Sequence, residues 1–222
     1  MGYHRAGFDE IVGVDIKPQP RYPFTFVQGD ALEYLEAHGS EFDAIHASPP
    51  CQAFTQMSAR WRGRSVKADS HPRLIAPVRA ALERTGRPYV IENVVGARKA
   101  MRSQITLSGG HFGLGTHRPR LFESNQMLLA PPYPGIPNGH VGVYGEFPDG
   151  RRLWTRKSMN GTVSVFHAAK SVEEARAAMG IDWMDWRELA ESIPPAYTEY
   201  IGRQLLSMSR PFPAPQAQTE AR

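Results

Sequence analysis

The stretch FDAIHASPPCQAF, Phe42 to Phe54, carries the single cysteine of the chain directly behind two prolines. Its first half, FDAIHAS, is a short apolar run that ends in polar residues, the pattern of a buried strand. Pro49 and Pro50 stop that strand, and their fixed backbone holds Cys51 in a rigid turn. Three runs of the same kind occur elsewhere: EIVGVD (Glu10 to Asp15), FTFVQGD (Phe24 to Asp30) and RPYVIENV (Arg87 to Val94). Between them lie two helical patterns. ALEYLEAH covers Ala31 to His38. PRLIAPVRAALERTG covers Pro72 to Gly86, with Leu74, Ile75, Val78 and Leu82 at helical spacing and a terminal glycine cap. Strands alternating with helices predict an α/β domain with an open, mostly parallel sheet. Ligands of such sheets bind beyond the carboxyl ends of the strands. Asp15, Asp30, Ser48 to Cys51 and Glu92 all fall there. A lone cysteine is more often a small core residue than a reactive group. Here it shares a strand-end edge with Glu92, on what should be the adjacent strand, and a thiol facing a carboxyl favours chemistry.

The 222 residues suit one domain, or one with a small appendage, and 41% hydrophobic with 22% charged residues is ordinary for a globular protein. No apolar run approaches a membrane span and no secretory leader opens the chain, so a cytoplasmic protein is expected. One cysteine can form neither an internal disulfide nor a cysteine-rich zinc site, and no metal is expected. The net charge of +4 is unevenly spread: Arg60 to Arg120 holds thirteen Lys and Arg against three Asp and Glu. A basic middle suits a polyanion such as nucleic acid, although a solvated basic surface would read the same way.

After Glu123 the chain becomes rich in Pro and Gly, and APPYPGIPNGHVGVYGEFPDGRRLWTRKSMNGT reads as irregular or β-rich. SVEEARAAMG, Ser171 to Gly180, opens with a capping-box pattern and returns to helix. PPAYTEYIGRQLLSMS, Pro194 to Ser209, reads as a closing helix with proline near its first turn. The expected divisions are a catalytic α/β domain over 1–125, a recognition region over 126–169, returning helices over 170–209 and a disordered tail over 210–222.

Four segments in order, PPCQAF, ENV (Glu92 to Val94), THRPRLFES (Thr116 to Ser124) and IPPAYTEYIG (Ile193 to Gly202), resemble the ordered motifs of the DNA cytosine-5 methyltransferases. The likeness is to short phage or prophage members and runs from Met1 to about Leu206. It implies a Rossmann-like class I methyltransferase fold that uses S-adenosylmethionine and acts on a cytosine flipped out of double-stranded DNA. Cys51 would attack C6, and Glu92 would hydrogen-bond N3 and the exocyclic amine. Arg120 would reach the base O2, with Arg118 behind it on the same side of a strand. GVDI and GDAL fit the family's cofactor-binding strand ends, which implies cofactor contacts at Asp15, Ile16, Asp30, Ala31 and Pro49; Asp30 would also serve as a helix cap. The loop QAFTQMSARWRGRSVKADSHPR resembles the one that closes over DNA, with Gln52, Ser58, Arg60, Arg62 and Arg64 available to backbone or groove and Trp61 to a stacking contact. The same stretch reads equally as a flexible basic loop. A short methylase suggests modification of phage or plasmid DNA, in a bacterial host or infected cell.

Two features depart from the family. Its glycine-rich opening, D-L-F-x-G-x-G-G, has no counterpart, because MGYHRAGF looks like the helix just after that turn. The first strand is therefore expected from an upstream segment or a partner chain, unless this is a degenerate form that binds DNA without catalysis. Thr116 also stands where the family often has glutamine. An amino-group methyltransferase, whose motif ends in two prolines and an aromatic, is disfavoured by Cys51 in the aromatic's place.

Overall fold

The computed structural model describes residues 1–54, 72–133, 135–136, 139–145, 153–157 and 163–209. Strands β1 (Val12–Asp15) and β2 (Thr25–Gln28) form a parallel pair. The main sheet contains β3 (Ile45–Ala47), β4 (Tyr89–Val94), β5 (Ile105–Leu107) and β6 (Arg120–Ser124), in the order β3-β4-β6-β5. The neighbours β3 and β4 are parallel, in the register Ile45 to Tyr89 and Ala47 to Ile91. The expectation of a mostly parallel sheet is corrected on the other side of β4. There β6 pairs antiparallel with both β4 and β5. The chain leaves β5 through a 3-10 turn at Gly109–Phe112 and comes back between its own predecessors.

No hydrogen-bonded pairing joins β1 to β3 among the described residues. Helix α1 (Gly2–Ala6) touches both pieces, Tyr3 through His46 of β3 and His4 through the Phe24 ring just before β2. The break between β1 and β3 falls where the resemblance noted in the sequence implies a further strand.

Helix α2 (Ala31–His38) begins at Asp30, whose Oδ1 accepts from the backbone N–H of Leu32 at 2.7 Å. Helix α3 (Ile75–Thr85) buries Ile75, Val78 and Leu82 against Tyr89, Ile91 and Leu121 on one face of the main sheet, and Gly86 closes it at φ 67°. On the opposite face Val90, Leu107 and Phe122 pack against Tyr197, Ile201 and Leu205 of the closing helix (Pro195–Ser209). Strand alternation thus sends successive residues of β4 into two different helical layers. Arg79 of α3 and Glu123 of β6 form a buried pair, with the second guanidinium bond at 2.8 Å, and Glu123 also accepts from the backbone N–H of Arg102.

The expected irregular or β-rich segment contains a three-stranded sheet, with β9 (Val163–Ala168) between β7 (Val141–Gly142) and β8 (Leu153–Lys157). Val141 shares a core with Met179 of α4 (Val172–Met179) and with Trp186 and Leu189 of α5 (Trp186–Glu191); the closing helix is α6. Ser171 caps α4 by accepting from Glu174 N–H, but the Glu174 carboxylate turns to His167 and the Lys170 N–H, so only half of the capping box forms. The tail over 210–222 lies outside the described residues. No described helix is long and apolar enough to cross a membrane.

Candidate active site

Because β3 and β4 run parallel and in register, the turn after β3 opens beside the end of β4. Asn93 fastens the two: its Nδ2 donates to the Pro49 carbonyl at 2.9 Å. The loop after β4 supports the same turn from another side. A Cβ on Gly96 would stand 2.1 Å from the carbonyl oxygen of Phe54, so only glycine lets these backbones meet. Cys51, half-buried, and Glu92 therefore face one cavity of about 660 Å³. That volume is within the range of small-molecule sites.

Glu92 is 7% exposed. Its Oε1 lies 3.0 Å from Nε of Arg120, and the Ser48 hydroxyl also hydrogen-bonds the carboxylate. Burial raises the proton affinity of Glu92; Arg120 opposes this most strongly, then Ser48 and Arg118. Burial likewise pushes the Cys51 thiol up, with Arg120 pulling it back down and Glu92 adding to the rise. The resting site holds a protonated sulfur beside a carboxyl that takes up a proton more readily than an exposed one.

The two arginines do different work, which corrects the expectation that they share one side of a strand. Arg120 begins β6 and lines the cavity. Arg118 precedes the strand at φ 30° and is fully buried. Its guanidinium donates to the carbonyls of Ser192 at 2.8 Å, Val143 at 2.5 Å and Ala190 at 2.6 Å. It also faces the Tyr144 ring at 5.4 Å, while the Tyr197 hydroxyl donates to its carbonyl. Burial holds the guanidinium down to about 10. Arg118 is a frame for three segments, and its side chain does not line the cavity.

Of the expected cofactor contacts, Asp15, Ile16 and Pro49 line the same cavity as Cys51, Glu92, Arg120 and Gln52. The Asp15 carboxylate accepts from the Lys17 N–H at 2.8 Å and from Gln19 Nε2 at 3.2 Å. Asp30 and Ala31 are not among the lining residues, and Asp30 has the capping role described above. Ser58, Arg60, Trp61, Arg62 and Arg64 lie outside the described residues. Sequence reasoning missed the opposite wall, formed by Met184, Arg187, Glu188, Glu191 and Ser192 around α5. Arg21, before β2, bridges to that wall through Asp185 and through Glu188 Oε2 at 2.7 Å. The one local signal was the capping box of Asp185 and Glu188, which does form.

Strand order, the helical layers and a cavity at the strand ends define a Rossmann-like α/β fold. Among known proteins, the chain is 26% identical over 215 residues to the type II methyltransferase M.XorII of Xanthomonas oryzae pv. oryzae, a match covering 76% of this chain and 49% of that protein. The chain spans about half the length of this curated relative. A triple mutant of Spodoptera frugiperda DNMT2 superposes with a TM-score of 0.52 at 16% identity, over 92% of this chain and 96% of that one. A protein assigned as a DNA modification methyltransferase in an E. coli prophage gives a TM-score of 0.49 at 15% identity, over 93% and 94% of the two chains. No family model matches.

Proposed function

We propose that this protein methylates C5 of a cytosine flipped out of double-stranded DNA. The observation that carries the reading is the thiol of Cys51 sharing a cavity with the Glu92 and Arg120 pair and with Asp15 at the end of β1. Similarity to a type II methyltransferase and the basic stretch from Arg60 to Arg120 support DNA as the substrate.

C5 of cytosine is a weak nucleophile, so a group must first add to C6. Cys51 loses its proton to solvent and its sulfur bonds C6, while Glu92 gives its proton to N3. The electrons displaced into the ring make C5 nucleophilic. S-adenosylmethionine, when bound, would supply an electrophilic methyl group to C5, with the electrons of the broken S–CH3 bond left on its sulfur as S-adenosylhomocysteine. The C5 proton then leaves to solvent, the sulfur departs as a thiolate, and the N3 proton returns to Glu92. Raised proton affinity at Glu92 suits this role, because an ordinary carboxyl is ionised at neutral pH. Arg120 orients the carboxyl and contacts the base. The residues present fit the methyl donor: Asp15 offers a carboxylate to sugar hydroxyls, and Ile16, apolar yet 69% exposed, offers a face to a ring. Pro49 completes that side of the cavity, and Asp30 and Ala31, just after β2 and outside the present lining, are the further contacts proposed for the donor. Gln52, Ser58, Arg60, Trp61, Arg62 and Arg64 engage the DNA, residues 126–169 read its sequence, and the setting is the cytoplasm of a bacterial or phage-infected cell.

The test is digestion of duplex DNA after incubation with the protein and methyl-labelled S-adenosylmethionine. Label in 5-methylcytosine, lost in Cys51→Ala, is the expected result. Label on the exocyclic amine would overturn the reading, as would DNA binding without transfer, the behaviour of a noncatalytic DNA-binding protein.

A further inference from the structure

Val90 and Phe122 on one face of the main sheet pack against Tyr197 and Ile201 of α6, and a polar thread runs into this layer. Tyr3 of α1 sets its Oη 2.7 Å from Nδ1 of His46, and Nε2 of His46 lies 3.1 Å from Oγ of Ser48. The Ser48 hydroxyl hydrogen-bonds the Glu92 carboxylate. Geometry makes the thread continuous. His46 and Ser48 are two residues apart and so share one side of the β3 line, and the register of Ala47 with Ile91 puts Ser48 beside Glu92. The ring of Tyr3 is edge-on to Phe8 at 5.6 Å and to His46 at 5.5 Å, and His46 is edge-on to Phe122 at 6.5 Å. Apolar neighbours would favour an apolar side chain at 46; a histidine there needs both ring nitrogens satisfied, and both are.

We propose that Tyr3, His46 and Ser48 form a positioning relay that fixes the orientation of the Glu92 carboxyl and its hold on the proton that it shares with the pyrimidine. This deepens the cytosine methylation reading and rests on it for the identity of that proton's acceptor.

Burial holds the imidazole of His46 down to about 4, so it is neutral at pH 7 and carries one donor and one acceptor. Burial keeps the Tyr3 hydroxyl protonated, hence a donor. The directions then follow one another: Tyr3 O–H donates to Nδ1, Nε2–H donates to Ser48 Oγ, and Ser48 O–H is left to donate to Glu92. Without His46 the Ser48 hydroxyl could turn and offer Glu92 a lone pair, which repels a carboxylate. Burial is the one cause acting on His46, whose packed neighbours are Tyr3 from α1 and Phe122 from β6. Glu92 faces Arg120 from β6, Arg118 before it, and Ser48 and Cys51 from the turn after β3. Tyr3 and His46 lie outside the cavity lining and act through Ser48 and Glu92, which both line it.

The experiment titrates the carboxyl carbon of Glu92 by NMR in the free full chain labelled at glutamate side chains, with Glu92→Gln identifying the signal. Ser48→Ala should raise the proton affinity of Glu92 roughly tenfold, the worth of one hydrogen bond to a charged acceptor. His46→Phe, which keeps an aromatic in the apolar site, should raise it in the same direction. His46→Gln, whose amide has a donor and an acceptor, should return it toward the wild-type value. A His46→Phe protein titrating like wild type would reduce His46 to packing and overturn the relay, and so would an unmoved titration in Ser48→Ala. Because no turnover is read, failure here leaves the methylation reading standing, and absence of methyl transfer by the wild type leaves this result standing.

Discussion

Replacing Arg118 by methionine separates the frame of the site from its chemistry. The side chain is fully buried and gives three hydrogen bonds to carbonyls at 2.5–2.8 Å. Leaving a buried acceptor unpaired costs about 1–3 kcal/mol, so three acceptors amount to about 6 kcal/mol at mid-range. Burying the cation itself is unfavourable: burial lowers its proton affinity to about 10, a cost on the order of 3 kcal/mol that methionine would not incur. The difference is a loss of about 3 kcal/mol against a domain stability of about 5–15 kcal/mol. In urea, with a slope of about 1–3 kcal/mol per molar, the midpoint should fall by about 1–3 M. Tryptophan fluorescence at 25 °C reads it. Arg118→Lys, which keeps charge but not the fork, should fall between the two. A methionine variant as stable as wild type but unable to transfer methyl groups would refute the framing role.

Gly96→Ala should cost turnover more than stability. The new methyl must push the Phe54 carbonyl by about 1 Å, and displacements of that size cost about 100-fold in rate, so kcat should fall by about that factor while the backbone clash lowers the melting temperature only modestly. The single thiol makes alkylation specific for Cys51. Its rate should rise with pH only beyond the range of an ordinary thiol. Arg120→Gln should slow it further at pH 8, because Arg120 lowers the thiol's proton affinity more than Glu92 raises it. Equal or faster alkylation in that variant would contradict the electrostatic account.

The site was legible where local pattern and geometry agree. A proline pair closing one apolar run, and a glutamate near the end of the next, were enough to bring Cys51 and Glu92 to one edge, because parallel neighbours end together. Asp30 and Ser171 announced their helices through capping chemistry that acts within three residues. Arg118 was misread for a physical reason. A residue before proline favours extended backbone, but three carbonyls from distant segments hold it at φ 30°. The antiparallel entry of β6 was equally hidden, since strand direction is decided by pairing partners and not by the strand itself. The wall around α5 reaches the site through Arg21 and Glu188, 167 positions apart, a contact with no trace in local spacing.

The account turns on a bond between one sulfur and one pyrimidine carbon. Duplex DNA with 5-fluorocytosine at the target position cannot release a fluorine as it does a proton, so with S-adenosylmethionine present the intermediate should persist. Mass spectrometry of the denatured mixture should find protein and DNA joined, with the link at Cys51. Recovery of only unlinked protein from the 5-fluorocytosine duplex, under conditions in which ordinary cytosine is methylated, would contradict the account.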